Sequence, residues 1–461
     1  MRKRTRGTLI GLAISVAAGS HFITAQDFSP FELGARASGM AGAFTAGADD
    51  ATAVFANPAG LAFLKGFRFK TNLLFSKPTV TASAPGSGAG FTSAPFQFRG
   101  SLALSWQVFR RVSVGVGLFM PHTFDIEWPF SWVGRYVNIN AGLNALFLRP
   151  VLSAEIVRGL ALGVGVDFVF SRLSWQHYQA FHLGNFSLPA EVGMDSRFEL
   201  SGNGTGFAAG LLWKPHPVFQ AGIRYKHQAP VTFRGRDTFV FPIDESGWMT
   251  VPDPVRPYRT LEDLVNLFFK SQDFTSRVSF PREVAFGVAL APLAALSFHL
   301  DLEWDEWSRF GGWQFRAVND DQNLSPGFTQ PLQDFYGVAP DYGFQSAVLV
   351  MKDAWKIKAG VEYRPSPHLA LRGGFAHHQS PAGSAQLNPV DPTPGLNIGS
   401  VGFGYEGPVF DVFNQRQVGE LSFDVYLRYS RSALESGMIP GYALTYRSSR
   451  WEFGVGVGVN L

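Results

Sequence analysis

The chain has 461 residues, no cysteine and a formal charge of +3, which excludes a disulfide framework and any thiolate metal site. Aromatic residues make up 15%, including 44 Phe, against 16% charged residues, a balance unusually apolar for a soluble protein of this length. Four basic and no acidic residues fall in the first 25, and without them +3 becomes −1, so the basic excess is no nucleic-acid footprint.

Residues 1–25 read as a secretion signal. Arg2, Lys3, Arg4 and Arg6 form a basic start and Leu9 to Gly19 a short apolar run; cleavage is expected after Ala25, although Ile23 is larger than usual two residues earlier. The next segment, 26–65, carries no alternation. Ala and Gly recur at short spacing from Asp27 to Phe44, followed by Ala48-Asp49-Asp50-Ala51 and Asn57-Pro58-Ala59-Gly60-Leu61. Such a segment suits close packing inside something else, and ahead of the first strand it is placed to plug a lumen. Asp49 to Phe55 is expected to form a short helix led by acids, stopping before Asn57-Pro58.

From 66 to 461 the chain alternates. Val112, Val114, Val116, Leu118 and Met120 oppose Ser113, Gly115, Gly117 and Phe119; Leu296, Phe298, Leu300, Leu302 and Trp304 oppose Ser297, His299, Asp301, Glu303 and Asp305; Trp451 to Leu461 alternates to its last residue. A period of two means strands with one apolar and one polar or small face. Short turns are expected at Arg110-Arg111, Val157 to Gly159, Pro215 to Pro217, Pro292 to Ala294 and Pro365 to His368. Longer irregular stretches are expected near 78–95, 121–134, 176–198, 241–277, 310–352, 380–397 and 431–444. Short and long connections in alternation are the habit of outer-membrane barrels.

A helical span needs about 20 continuous apolar residues. The longest uncharged stretch after the signal, Val284 to Leu300, contains Pro292 and His299 and reads as two strands and a turn. A soluble sandwich shares the period with the apolar face inward; the secretion signal, the aromatics on the apolar face and the near-terminal strand favour the membrane. The fold expected is an all-β membrane protein, an antiparallel transmembrane barrel of about fourteen strands over 66–461, plugged by 26–65.

Two groups of residues are candidates for ligand contact. Thr260 opens a helical stripe of Leu261, Leu264, Val265, Leu267 and Phe268 in one long loop; it either packs on the loops or offers, through Leu264 and Phe268, a landing surface for an apolar ligand. Parity turns Arg224, Lys226, Lys356, Lys358 and Arg372 inward, with Asp301, Glu303 and Glu362. They either compensate one another or bind an anionic head group, for which Arg224 and Lys226 are the first candidates. Other signals carry no chemistry. Gly402-Phe403-Gly404-Tyr405-Glu406-Gly407 has no helix after it, no G-x-S-x-G elbow occurs, and His377 and His378 fall on opposite faces. Asp301, Glu303 and Asp305 share a face, where ion pairing is a better reading than a cation site. No catalytic residue, metal or cofactor is expected.

The run GARASGMAGAFTAGADDATAVFANPAGLAFL resembles the N-terminal hatch of the FadL/TodX outer-membrane transporters of hydrophobic compounds. GRYVNINAGLNALFLRPVLSAEI, FPREVAFGVALAPLAALSFHLDLEWDEWSRF and WKIKAGVEYRPSPHLALRGGFAHHQSP resemble later strand pairs of the same family, so the resemblance covers essentially the whole mature chain. It implies a fourteen-stranded barrel closed by a hatch, with Asn57, Pro58 and Ala59 in the hatch motif, Asp49 and Asp50 as its acidic pair, and Arg36 at its start. Their implied role is to hold the plug. The implied function is passive uptake, not catalysis, in the outer membrane of a Gram-negative bacterium. A long-chain fatty acid or aromatic hydrocarbon enters from the external loops, passes the hatch-closed lumen and leaves sideways into outer-membrane lipid at a kinked strand. The expected protein is a monomer without a nucleic-acid partner. A strand end at Met120-Pro121 is the expected gate, because proline interrupts a ladder. Two features depart from the family: Gly34-Ala35-Arg36-Ala37 replaces a common Gly-x-Gly-Arg-Ala start, and Leu461 stands where many barrels end in Phe. The rival readings are a structural or adhesive barrel and a general porin.

Overall fold

The structure, a computed structural model, describes residues 34–83, 90–93, 96–181, 192–240, 271–310, 313–318, 344–347, 351–382, 387, 395–410, 417–439 and 442–461. The expected signal and the stripe containing Leu264 and Phe268 lie outside the described residues.

Fourteen strands form one closed antiparallel barrel. They are β1 (Phe67–Ser83), β2 (Gly90–Ser93 and Gln97–Phe109), β3 (Val112–Glu127), β4 (Asn140–Val157), β5 (Leu160–Phe181), β6 (Val192–His216) and β7 (Phe219–Lys226 and Ala229–Val240). They continue as β8 (Gln272–Phe280 and Glu283–Leu293), β9 (Leu296–Asp305 and Trp313–Ala317), β10 (Phe344–Ala347 and Ala354–Ser366), β11 (Leu369–His378), β12 (Leu396–Phe410), β13 (Gln417–Ser432 and Glu435–Ile439) and β14 (Tyr442–Asn460). Each pairs with the next, and β14 closes on β1 from Arg68↔Asn460 to Ser83↔Thr445. Closure leaves no open sheet edge, which a bilayer would not tolerate.

The barrel is inside out relative to a soluble sandwich. Trp106, Leu152, Val401 and Trp451 are 52–59% exposed on the outer face, while Asp301, Glu303, Lys356 and Lys358 are 2–4% exposed inside. Short turns at 110–111, 158–159, 217–218, 294–295 and 367–368 mark one end. The termini of the barrel meet there too, where Phe67 N donates to Leu461 O at 2.8 Å. Three of these turns come later than expected. Pro215, Pro292 and Pro365 remain inside their strands because a register shift next to each absorbs the missing N–H.

At the other end the strands outrun the expectation. Residues 176–181 and 192–198 pair as β5 and β6 up to Phe181↔Val192. The predicted strand end at Met120-Pro121 is likewise corrected. β3 continues to Glu127, and the proline sits in a register shift between Phe119 and His122. The strand β9 breaks around a short 3-10 turn, Trp307–Arg309, which tucks Trp307 inside.

Candidate functional site

The described part of the N-terminal segment lies inside the barrel. It holds two single-turn helices, α1 (Ala35–Gly39) and α2 (Ala53–Ala56), and a 3-10 stretch, Pro58–Phe63. The helix expected over 49–55 is shorter and begins later. Asp50 Oδ1 accepts from both Thr52 N and Thr52 Oγ, and this side-chain turn holds the residues before Ala53 out of the helix. Room for the segment comes from wall glycines. A Cβ on Gly210 would strike the Asn57 side chain, and one on Gly374 would strike the backbone of Met40 and Ala41.

The residues matched to the hatch motif bind the segment to itself and to the wall. Arg36 makes ion pairs to Asp49 and to Glu362 of β10. Asp50 pairs with Lys70 of β1, which also reaches Asp424 of β13. Burial alone would raise the Asp50 carboxyl; Lys70 and Arg36 outweigh it and hold it below the usual carboxylate range. Asn57 is fully buried. Its Nδ2 donates to Thr45 O at 2.9 Å and to Leu211 O of β6 at 3.2 Å, while its Oδ1 caps Ala59 N. Pro58 follows at the first helical position, where a missing N–H costs nothing. Ala59 O accepts from Ser153 Oγ of β4. Asp301 of β9 takes the backbone N–H groups of Phe44 and Thr45 at 2.9 and 2.8 Å. Ala41 sits at φ 51, a strained conformation for alanine, and Ser400 of β12 holds it by accepting from its N–H.

A belt of ion pairs runs along the inner wall over and beside the segment. Arg224 meets Glu303 at 2.8 Å and Glu283 at 3.6 Å; Lys226 meets Glu283 at 2.8 Å. Lys356 and Lys358 both reach Glu303, and Arg372 bridges Glu362 and Asp424. Every base that parity placed inward is inward and paired. Glu283, Glu303 and Asp305 bring carboxylate oxygens within 4.8 Å of one another. With Arg224, Lys226, Lys356 and Lys358 among them, the cluster is built for charge balance rather than for a cation.

A cleft of about 50 Å³ lies between the belt and the segment, lined among others by Phe44, Phe55, Phe119, Arg149, Arg224 and Lys226. Over it the inner face turns apolar. Phe119, Phe124, Phe147, Trp175, Phe198 and Phe280 belong to one buried cluster, with ring centroids 4.6 Å apart for Phe55–Phe119 and 5.5 Å for Phe119–Phe147. Sequence reasoning missed this lining. Its signal was present in runs such as Ala141 to Leu148, where both parities are nearly apolar and alternation fades.

Below the segment the lumen is polar. A cavity of about 380 Å³ is lined by Arg36, Asp49, Lys70, Glu362, Arg364 and Glu406, among others. The wall has one discontinuity beside the cleft. Pairing of β2 with β3 ends at Leu102↔Leu118, while β3 runs on along β4 to Glu127↔Asn140. Between Gly100 and Met120 lies a small cavity of about 20 Å³ that reaches inward to Ala35 and Tyr426.

Comparison with known proteins agrees with this architecture. Residues 14–408 match the family described as outer membrane protein transport protein (OMPP1/FadL/TodX). The chain is 21% identical over 402 residues to a 47 kDa outer membrane protein of Pasteurella multocida (strain Pm70), covering 80% of this chain and 90% of that one. Its fold is similar to that of a Pseudomonas aeruginosa FadL homologue, with TM-score 0.75, 16% identity and coverage of 95% and 99%. It is also similar to the Pseudomonas putida toluene transporter TodX, with TM-score 0.64, 17% identity and coverage of 94% and 99%. The chain thus belongs to the FadL/TodX family of outer-membrane transport proteins for hydrophobic compounds, a transporter and not an enzyme.

Proposed function

We propose that this protein takes up long-chain fatty acids or aromatic hydrocarbons passively, and that the cargo leaves sideways into the outer membrane as the protein works as a monomer. The observation that carries the reading is the vertical division of the lumen: an aromatic upper chamber over a closed, charged floor. Each CH₂ kept out of water contributes about 0.8 kcal/mol, so an alkyl chain or an arene gains by entering the upper chamber. The polar cavity beneath offers no such gain. The discontinuity between β2 and β3 opens at the level of the cleft, so an apolar molecule meets lipid there without crossing water.

In this reading residues 26–65 form the hatch, held by Arg36, Asp49, Asp50, Asn57, Pro58 and Ala59, and residues 1–25 are removed on secretion. Arg224 and Lys226 receive an anionic head group where it is desolvated, because an ionised group needs a charged partner there. A general porin is disfavoured by the segment that fills the lumen, and an adhesive barrel has no use for an aromatic interior.

The test is uptake of labelled oleate, toluene and a small sugar by a host stripped of its own hydrophobic-compound transporter, with and without this protein. Faster entry of oleate or toluene alone supports the reading and names the cargo. Faster entry of sugar contradicts it.

A further inference from the structure

Three consecutive residues connect the cleft to the wall. Met120 lines the small cavity between β2 and β3, Pro121 lines the cleft, and His122, fully buried, touches Lys226. Together they form the bulge at which β3 slips register against β4. Past Leu118, β3 makes no ladder pairing with β2 among the described residues. Side-chain contacts cross there, among them Arg99 Nη2 to Thr123 O at 2.8 Å and Glu127 N to Ser93 Oγ at 3.1 Å. The width of the gap therefore depends on the shape of the bulge.

His122 is held from two sides. Its ring stacks on Phe280 with centroids 4.7 Å apart and planes 5° from parallel. Its Nε2 lies 2.7 Å from Lys226 Nζ, and the same ammonium donates to Glu283 Oε1 at 2.8 Å. An ammonium only donates, so Nε2 accepts and the ring proton belongs on Nδ1. Nδ1 has no partner among the described residues. The bond from Lys226 is what satisfies this imidazole; Glu283 Oε1 lies 3.8 Å from the same Nε2, beyond hydrogen-bond reach, and the ring otherwise faces Phe147, Phe280 and Trp307.

Lys226 also lines the cleft. A carboxylate arriving there competes for its ammonium, and a bond between two ionised groups is stronger than one to a neutral ring. If Lys226 turns to the ligand, the Nε2 lone pair of buried His122 keeps no hydrogen bond and faces only the Glu283 carboxylate and aromatic rings, which is costly. The ring then gains by moving, and it carries the end of the bulge with it. A neutral molecule fills the cleft without drawing on Lys226.

We propose that His122 is a positioning residue through which the wall gap responds to an anionic head group: a carboxylate bound at Lys226 releases His122 and shifts the Met120-Pro121-His122 bulge away from β2. The inference rests on the reading of uptake with lateral exit given above and adds to it how the exit distinguishes acids from neutral cargo.

The absence of cysteine makes the test direct. Phe98→Cys on β2 and Glu127→Cys on β3, both exposed on the outer face, take a spin-label pair across the gap in the full-length protein in lipid. Oleate is expected to lengthen the label distance and oleyl alcohol to leave it unchanged. In His122→Phe, which keeps the stack on Phe280, oleate should still quench tryptophan fluorescence on binding but the shift should be lost. His122→Gln restores an acceptor for Lys226 and should restore the shift. An equal shift with the alcohol overturns the proposal, as does a full shift in His122→Phe or no shift in the unmutated pair with oleate bound. Absence of oleate binding altogether removes the uptake reading for acids, and this inference with it.

Discussion

Arg36 and Glu362, 326 residues apart, meet in a two-pronged contact, with Nε 2.9 Å from Oε2 and Nη2 3.0 Å from Oε1. Both side chains are under 10% exposed. Glu362 keeps Arg364 and Arg372 as partners when Arg36 is removed, so the loss is the tie between segment and wall, and a hydrogen bond to a charged group contributes about 1.5–3 kcal/mol. Arg36→Ala should therefore loosen the segment and raise ion conductance in planar bilayers. Arg36→Lys, which keeps the charge without the two-pronged geometry, should recover part of the closed behaviour. Unchanged conductance in Arg36→Ala would mean the segment is held elsewhere.

The glycines of the wall make a second prediction. Gly374→Leu puts a side chain where Met40 and Ala41 run, whereas a Cβ on Gly399 meets nothing within 4 Å. The first change should displace the segment and increase conductance; Gly399→Ala should match the unmutated protein. A closed Gly374→Leu barrel with unchanged melting temperature would contradict the packing described.

Head-group selectivity is tested by the paired change Lys226→Met with Glu283→Gln, which avoids stranding Glu283 in the lumen. A hydrogen bond to a charged group contributes about 1.5–3 kcal/mol, so oleate affinity should fall by roughly one to two orders of magnitude while toluene uptake stays within about twofold. Equal losses for both would assign Lys226 a packing role only.

Asp50 sets a pH dependence. Its folded-state pKa lies below the ordinary 3.8, so its contribution to docking is fully present above that value and is lost as pH falls through the lower folded value. Conductance should stay low from neutral pH to about pH 5 and rise below about pH 4. Asp50→Asn, which cannot form the ion pair with Lys70, should remove the Asp50 share of that acid response. An acid response of unchanged size in Asp50→Asn would assign the titration to other groups.

Much of this architecture was legible in the chain, and the reason is the strict period of a strand. Parity placed Arg224, Lys226, Lys356, Lys358 and Arg372 inward with Asp301, Glu303 and Glu362; all face the lumen, the bases, Glu303 and Glu362 in ion pairs and Asp301 on the backbone of Phe44 and Thr45. His377 and His378 do fall on opposite faces, one exposed and one buried. Parity failed where both faces are apolar. Phe119 was read as a member of a small or polar face, yet it lines the aromatic chamber. Proline misled four times. Pro121 was taken for a strand end and Pro215, Pro292 and Pro365 for turns, but a bulge accommodates each. The gap between β2 and β3 had one local signal, Pro121, which was expected to end the strand and instead sits in the bulge beside the gap.

The most direct test of the central claim is to close that gap reversibly. Gly100→Cys and Met120→Cys, joined by a short reducible cross-linker in an otherwise cysteine-free chain, would tie β2 to β3 beside the cleft. Uptake of oleate or toluene should stop on cross-linking and return on reduction, with fluorescence-detected ligand binding preserved throughout. Undiminished uptake through a cross-linked wall would mean that the cargo leaves by another route.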